Sequence, residues 1–251
     1  MVQAQGVTRS FSRVTALRSV SFAIGEGERV AVVGPSGSGK TTLLNLLSGT
    51  LQPDAGSLTI AGRCLSQNLP RSELASLVGI IHQQFDLVPQ LPVVHNVLAG
   101  RFGQWGMFRS LFSLVWPQDY RLAADALEQM GISDKIQERT SHLSGGEQQR
   151  VAIARAIVQS PRLVLADEPV ASLDPARAEE VMQLLVELTQ DSGRALIASI
   201  HSTDLVQRFF TRVIGLREGQ LQFDMPSANL TQADLTDLYE LHHEESSHHW
   251  H

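Results

Sequence analysis

Three stretches of this 251-residue sequence carry residue types whose spacing could do chemistry. In the first, Gly34, Pro35, Ser36, Gly37, Ser38, Gly39, Lys40 and Thr41 satisfy the pattern G-x-x-x-x-G-K-[ST] without a mismatch, and Thr42 follows directly. Glycines at this spacing let the backbone curl until successive N–H groups point at phosphate oxygens, and a helix that begins at Lys40 adds the partial positive charge of its N-terminus. The Lys40 ammonium can then reach the outer phosphates of a nucleotide, and the Thr41 hydroxyl can ligate Mg²⁺. A glycine turn that merely precedes a helix is the plain alternative. In the second stretch, Leu163-Val-Leu-Ala-Asp-Glu-Pro169, an apolar strand runs into two acids. Asp167 at a strand end can hold Mg²⁺ through water, and Glu168 can orient and deprotonate an attacking water. Many strands end in acids for solubility, so this pair gains meaning from the glycine loop. The third stretch runs from Leu143 to Arg150. There Ser144 followed three residues later by Glu147 reads as a capping box opening a helix from Glu147 to Val158. With Gly145 and Gly146 it is also a second helix end able to face an anion.

These residues need elements to hold them. Arg29–Val33 is a β-branched run of the kind buried on both faces of a sheet, feeding a helix from Lys40 to about Ser48. Pro53–Gly56 reads as a turn before a short strand, Ser57–Ala61. From about 89 to 159 the periodicity turns helical, with Tyr120–Met130 as a second clear helix. Strands return at Leu163–Ala166, Ala195–Ile200 and Val213–Leu216, and the last enters a hairpin to Gln220–Phe223. A helix over Pro175–Gln190 lies between the first two. Such alternation predicts an α/β fold with a largely parallel sheet and an inserted helical part.

Composition narrows the function classes. The formal charge is −6 and the pI near 5.8, so no bulk positive field draws nucleic acid. One cysteine, Cys64, excludes a disulfide framework or a cysteine zinc cluster. No signal peptide or run of 18 apolar residues is visible, so a cytosolic chain linked to a membrane only through a partner is expected.

The order of glycine loop, Leu-Ser-Gly-Gly-Glu-Gln-Gln-Arg150, Leu-Ala-Asp-Glu-Pro169, Ser172-Leu-Asp174 and a late His201 resembles the ATPase subunits of ABC transporters, over about Phe11 to Phe223. The resemblance implies a P-loop NTPase fold with antiparallel strands near the N-terminus. It divides the chain into a core of about 1–88 and 160–240, a helical subdomain of about 89–159, and a His-rich tail, 241–251. It also implies ATP with Mg²⁺, sandwiched in a dimer of two copies between the phosphate loop of one and Ser144–Gly146 of the other. Carried over by motif, Gln83 resembles the glutamine that contacts Mg²⁺ and the membrane partner, Asp174 the acid that crosses the dimer interface, and His201 the histidine that contacts the γ-phosphate. Phe11 stands where the family stacks an aromatic on adenine, with a core aromatic as the alternative.

One cassette without a fused membrane part or a large C-terminal domain is expected, matching the ATPases of bacterial importers. Gln83-Gln-Phe-Asp-Leu-Val88, Asn96-Val-Leu-Ala-Gly-Arg101, the insertion 105–119 and the ending Ala233–Tyr239 look like the phosphonate importer ATPases, which include relatives serving phosphite-type oxyanions. Amino-acid or lipoprotein-export ATPases are the nearest rivals. A soluble ABC ATPase acting on nucleic acid would need a coiled coil or a second cassette, and a non-hydrolysing scaffold would lack Lys40, Glu168 or His201. The implied partners are permease subunits, and indirectly a solute-binding protein, at the cytoplasmic face of the inner membrane. Phe108, Leu111, Phe112, Val115 and Trp116 form one helical stripe, either packed on the helical core or gripping a membrane partner. Five histidines in the last ten residues read as a solvated tail, with metal binding as the alternative.

Overall fold

The computed structural model describes residues 1–12, 14–65, 69–82, 85–105, 108, 112–113, 119–171, 173–190 and 193–240. In chain order its elements are β1 (Val2–Phe11), β2 (Val14–Ile24), β3 (Arg29–Val33), α1 (Lys40–Leu47), β4 (Ala55–Ile60), β5 (Arg63–Cys64), α2 (Arg71–Leu77), β6 (Val78–Ile81), α3 (Val93–Leu98), α4 (Tyr120–Gln129), α5 (Gly145–Gln159), β7 (Leu163–Ala166), α6 (Pro175–Gln190), β8 (Ala195–Ser199), α7 (Thr203–Phe209), β9 (Arg212–Arg217), β10 (Gln220–Pro226) and α8 (Gln232–Tyr239).

The main sheet has the order β10-β9-β3-β8-β7-β6. Strands β9 through β6 are parallel, and β10 returns antiparallel after the turn at Gly219. A second, antiparallel sheet orders β2-β1-β4-β5. This is the α/β fold with antiparallel N-terminal strands that the resemblance implies.

The β-branched run of β3 is buried on both faces for a visible reason. Val30 and Val32 point into a core shared with α1 and the antiparallel sheet, where Leu43, Leu44, Leu46, Leu47, Val2 and Leu58 are all fully buried. Ala31 and Val33 point the other way, into a core built with α3, α4, α5 and α6. The helical segment therefore shares one continuous core with a face of the sheet.

Two elements begin two residues earlier than the sequence reading has them. Strand β4 begins at Ala55 because Thr8 already pairs with it there. Helix α5 begins at Gly145, since the cap at Ser144 places the next two glycines inside the first turn.

Candidate functional site

Parallel strands present their carboxyl ends along one edge of the sheet, where doubly wound folds bind ligands. The chemistry-bearing residues of the sequence fall there. Gly34 follows β3, Asp167 and Glu168 follow β7, and His201 lies two residues past β8. Gln83, two residues past β6, lies outside the described residues, as do Ser172 and the tail.

At the glycine loop the need for glycine is steric. Gly34 has φ +150°, and a Cβ there would sit 2.0 Å from the carbonyl oxygen of Leu216. Gly39 has φ +105°, and its Cβ would meet the carbonyl oxygen of Ala16 at 2.5 Å. The loop is laced to its neighbours: Ser38 N–H donates to the Pro35 carbonyl (3.1 Å) and the Ser38 carbonyl accepts from Gly219 N–H (3.0 Å). Ser36 and Gly37 face solvent, Ser38 is buried and Pro35 is half-buried. Lys40 is buried, and its Nζ donates to the carbonyls of Gly34 (2.8 Å) and Pro35 (3.0 Å). Burial pushes the Lys40 ammonium below the usual lysine range, while Glu168 and Asp167 pull it back up. Thr41 and Thr42 form the first turn of α1, Thr41 exposed and Thr42 half-buried.

The acidic pair is set by register. Ala166 of β7 lies opposite Ala198 of β8, which brings Ser199 beside Asp167. The fully buried Ser199 hydroxyl donates to Asp167 Oδ1 and accepts from Glu168 N–H, both at 2.7 Å. Glu168 adopts φ +47°, a left-handed conformation that side chains take at a cost. Its Oε1 meets His201 Nε2 at 2.8 Å. Ser199 went unmarked in the sequence, where its one signal is a hydroxyl closing an otherwise apolar strand.

At the second helix end the capping box is present. Ser144 Oγ accepts from Glu147 N–H at 3.4 Å, and Glu147 Oε2 accepts from both the N–H and the hydroxyl of Ser144 at 2.8 Å. Those bonds hold the Glu147 carboxyl below the usual carboxylate range. Gly145 and Gly146 have ordinary helical backbones, and a Cβ on either would meet nothing within 4 Å. Glycine inside a helix costs about 1 kcal/mol relative to alanine, and nothing among the described residues explains the pair. Asp174 caps α6, its Oδ1 accepting from Arg177 N–H at 3.1 Å.

Helix α5 is tied down along its length by residues the sequence reading passed over. Gln149, 1% exposed, donates from Nε2 to the carbonyl of Pro169, the residue after Glu168, at 2.7 Å. Arg155 donates to the carbonyls of Phe85 and Asp86, each at 2.8 Å, and burial pushes its guanidinium down from its ordinary range. Gln159 Nε2 donates to the carbonyls of Ala75 and Val78. Buried Asn96 accepts from Val88 N–H (2.7 Å) and donates to Thr140 Oγ1 (2.8 Å), which fixes the strand-to-helix loop after β6.

Phe11 ends β1 at 43% exposure with the Arg9 guanidinium 4.9 Å from its ring centroid, so it is no core aromatic. In the insertion, Phe108 and Phe112 are 86% and 59% exposed, which sets them apart from core packing; Leu111, Val115 and Trp116 lie outside the described residues.

Comparison with known proteins adds kinship to this geometry. The family described as ABC transporter matches residues 17–171. The Phosphonates import ATP-binding protein PhnC of Anaeromyxobacter dehalogenans is 45% identical over 238 residues, covering 94% of this chain and 47% of that protein, so the chain spans about half of its length. The protein of the same name from Pseudomonas putida is 44% identical over 237 residues, covering 93% of this chain and 88% of that one. Among solved structures, a dimeric post-hydrolysis state of an ATP-binding cassette bound to ADP and Pi matches with a TM-score of 0.77 and 30% identity, covering 90% of this chain and 99% of that chain.

Proposed function

The chain belongs to the ABC transporter family, and from that premise we propose that it binds and hydrolyses ATP to energise the import of phosphonates or related phosphorus oxyanions through a membrane permease. The observation that carries the ATPase reading is the convergence of Lys40, Asp167, Glu168 and His201 on one sheet edge, with Glu168 bonded to His201 and braced by Ser199. The cargo class rests on the names of relatives 44–45% identical over nearly all of this chain.

In this reading the N–H groups of Ser36 to Thr42 cradle the phosphates, and Lys40 exchanges its two loop carbonyls for phosphate oxygens. Phe11 offers an exposed ring on which adenine stacks. The donors fit a hard divalent cation: the exposed Thr41 hydroxyl, and the Asp167 carboxylate oxygen left free by Ser199, with Gln83 added by resemblance. Held by Thr41 and Asp167, Mg²⁺ would supply neutralisation of the charge on the phosphates. Glu168 orients the attacking water and accepts its proton on a carboxylate oxygen. His201 holds that carboxylate in place and stands ready to donate to the phosphate.

The bare first turn of α5 supports the dimer. Gly145 and Gly146 leave open space before unpaired helix N–H groups, which suits the phosphates of a nucleotide held by a second copy, with Ser144, Glu147 and Asp174 at the same interface. Among the described residues no helix is long and apolar enough to cross a membrane, so the permease supplies the membrane part. Phe108 and Phe112 offer that permease exposed aromatic anchors at the cytoplasmic face. The reading is tested by ATPase activity in proteoliposomes holding this chain with a permease and a solute-binding protein of the phosphonate type. Stimulation by a phosphonate is expected; stimulation only by an amino acid or a lipid-linked cargo refutes the cargo class.

A further inference from the structure

We propose that Tyr239 is a positioning residue of the nucleotide site, through which α8 holds the root of the phosphate loop. The proposal rests on the ATP-binding reading and extends it to a residue far beyond the stretch that the family match covers.

Several independent contacts aim α8 at the loop. A capping box fixes its start, with Thr231 and Asp234 exchanging hydrogen bonds. Leu235 and Leu238 are buried and seat its inner face. Arg217, at the end of β9, donates to the carbonyl of Asp237 at 2.8 Å and holds the last turn. These contacts deliver the Tyr239 phenol to Gly34, whose N–H it accepts at 3.3 Å across 205 residues of chain.

Gly34 is where such a contact matters. Its φ of +150° starts the curl of the loop, and the space that a Cβ would need is taken. Its carbonyl accepts from Lys40 Nζ. Tyr239 and Lys40 therefore hold the donor and acceptor sides of one residue, and one of the two must reach phosphate. Partial desolvation pushes the phenol of this 37% exposed residue above its ordinary range; the bond from Gly34 N–H pulls it back, and the nearby charge of Glu168 adds to the rise. The phenol stays protonated at neutral pH, so the oxygen that accepts from Gly34 keeps a proton to donate into the site. A phenol that only filled space under α8 would need no hydroxyl at Gly34.

The test uses the full-length chain with Y239F, which keeps the ring and removes the oxygen. Binding of a fluorescent ATP analogue (mant-ATP with Mg²⁺) to the chain at concentrations where it is monomeric separates this site from dimerisation and from the permease. Loss of one hydrogen bond is expected to weaken binding two- to tenfold. The analogue should slow amide exchange across 232–239 in the parent and not in Y239F. Affinity within twofold of the parent, with α8 equally protected in both proteins, overturns the proposal and leaves Tyr239 as a helix anchor. A parent that fails to bind the analogue while remaining folded overturns the ATPase reading itself, and this proposal with it.

Discussion

Ser199→Ala isolates the brace beneath the two acids. The hydroxyl makes two 2.7 Å bonds, one to the Asp167 carboxylate and one from Glu168 N–H. A hydrogen bond to a charged group contributes about 1.5–3 kcal/mol, and an amide donor left unpaired on partial burial costs about 1–3 kcal/mol. Water can reach the half-buried acids and recover part of this, which leaves a loss of about 3 kcal/mol. For a chain of this size that corresponds to a fall in Tm of about 6–12 °C. Stability is the smaller part of the argument. Without the bond to its amide, Glu168 can relax out of the left-handed conformation that points it at His201. A catalytic group displaced by about 1 Å can lose on the order of 100-fold in rate. Differential scanning calorimetry and steady-state ATPase measurements on one preparation read both effects. A mutant that melts several degrees lower yet turns over within twofold of the parent would refute the argument that Ser199 positions the base.

Replacing Glu168 by Gln should leave ATP binding intact, lower turnover by about 100-fold or more as for a lost general base, and trap an ATP-bound dimer visible by size-exclusion chromatography; a variant that stays monomeric with ATP contradicts the shared-site reading. Ser144→Ala should cost only the cap, about 1 kcal/mol. Ser144→Arg subunits mixed with Lys40→Ala subunits should recover part of the activity by forming one intact composite site, and silence from proven heterodimers counts against it. Phe108→Ala and Phe112→Ala should leave melting and basal ATPase unchanged, since both rings are exposed, while weakening capture by permease-containing vesicles; a drop in Tm with normal capture would place them in packing instead.

What could be read from the sequence follows from how local each cause is. The glycine loop, Asp167 and Glu168, and the Ser144–Glu147 box announce themselves within eight residues, because strand, turn and helix are consecutive there. The β3 and β7 runs were legible because burial on both faces demands unbroken apolar sequence. The hairpin of β1 and β2 enters the sequence reading only through the resemblance, which implies antiparallel strands near the N-terminus. Its register shifts at Ala4, Val7 and Arg9 break the alternation that would have marked it. The contacts of Ser199, Gln149, Asn96 and Tyr239 stayed silent for a different reason, although the last three stand in stretches that carry the resemblance. Each acquires its meaning from a partner on another element, and no spacing in the chain encodes that contact.

The ties along α5 give it a mechanical character. Bonded to Pro169 near its start, to Phe85 and Asp86 in its third turn and to Ala75 and Val78 at its end, the helix has no joint at which a displacement could be absorbed. It behaves as a stiff strut. Ser144 lies 11 residues before Arg155, a lever arm of about 16 Å at 1.5 Å per residue. A load applied at the Phe85–Asp86 surface therefore arrives at Ser144 with no slack, and the compliance of the molecule has to reside in the loops at either end of the strut.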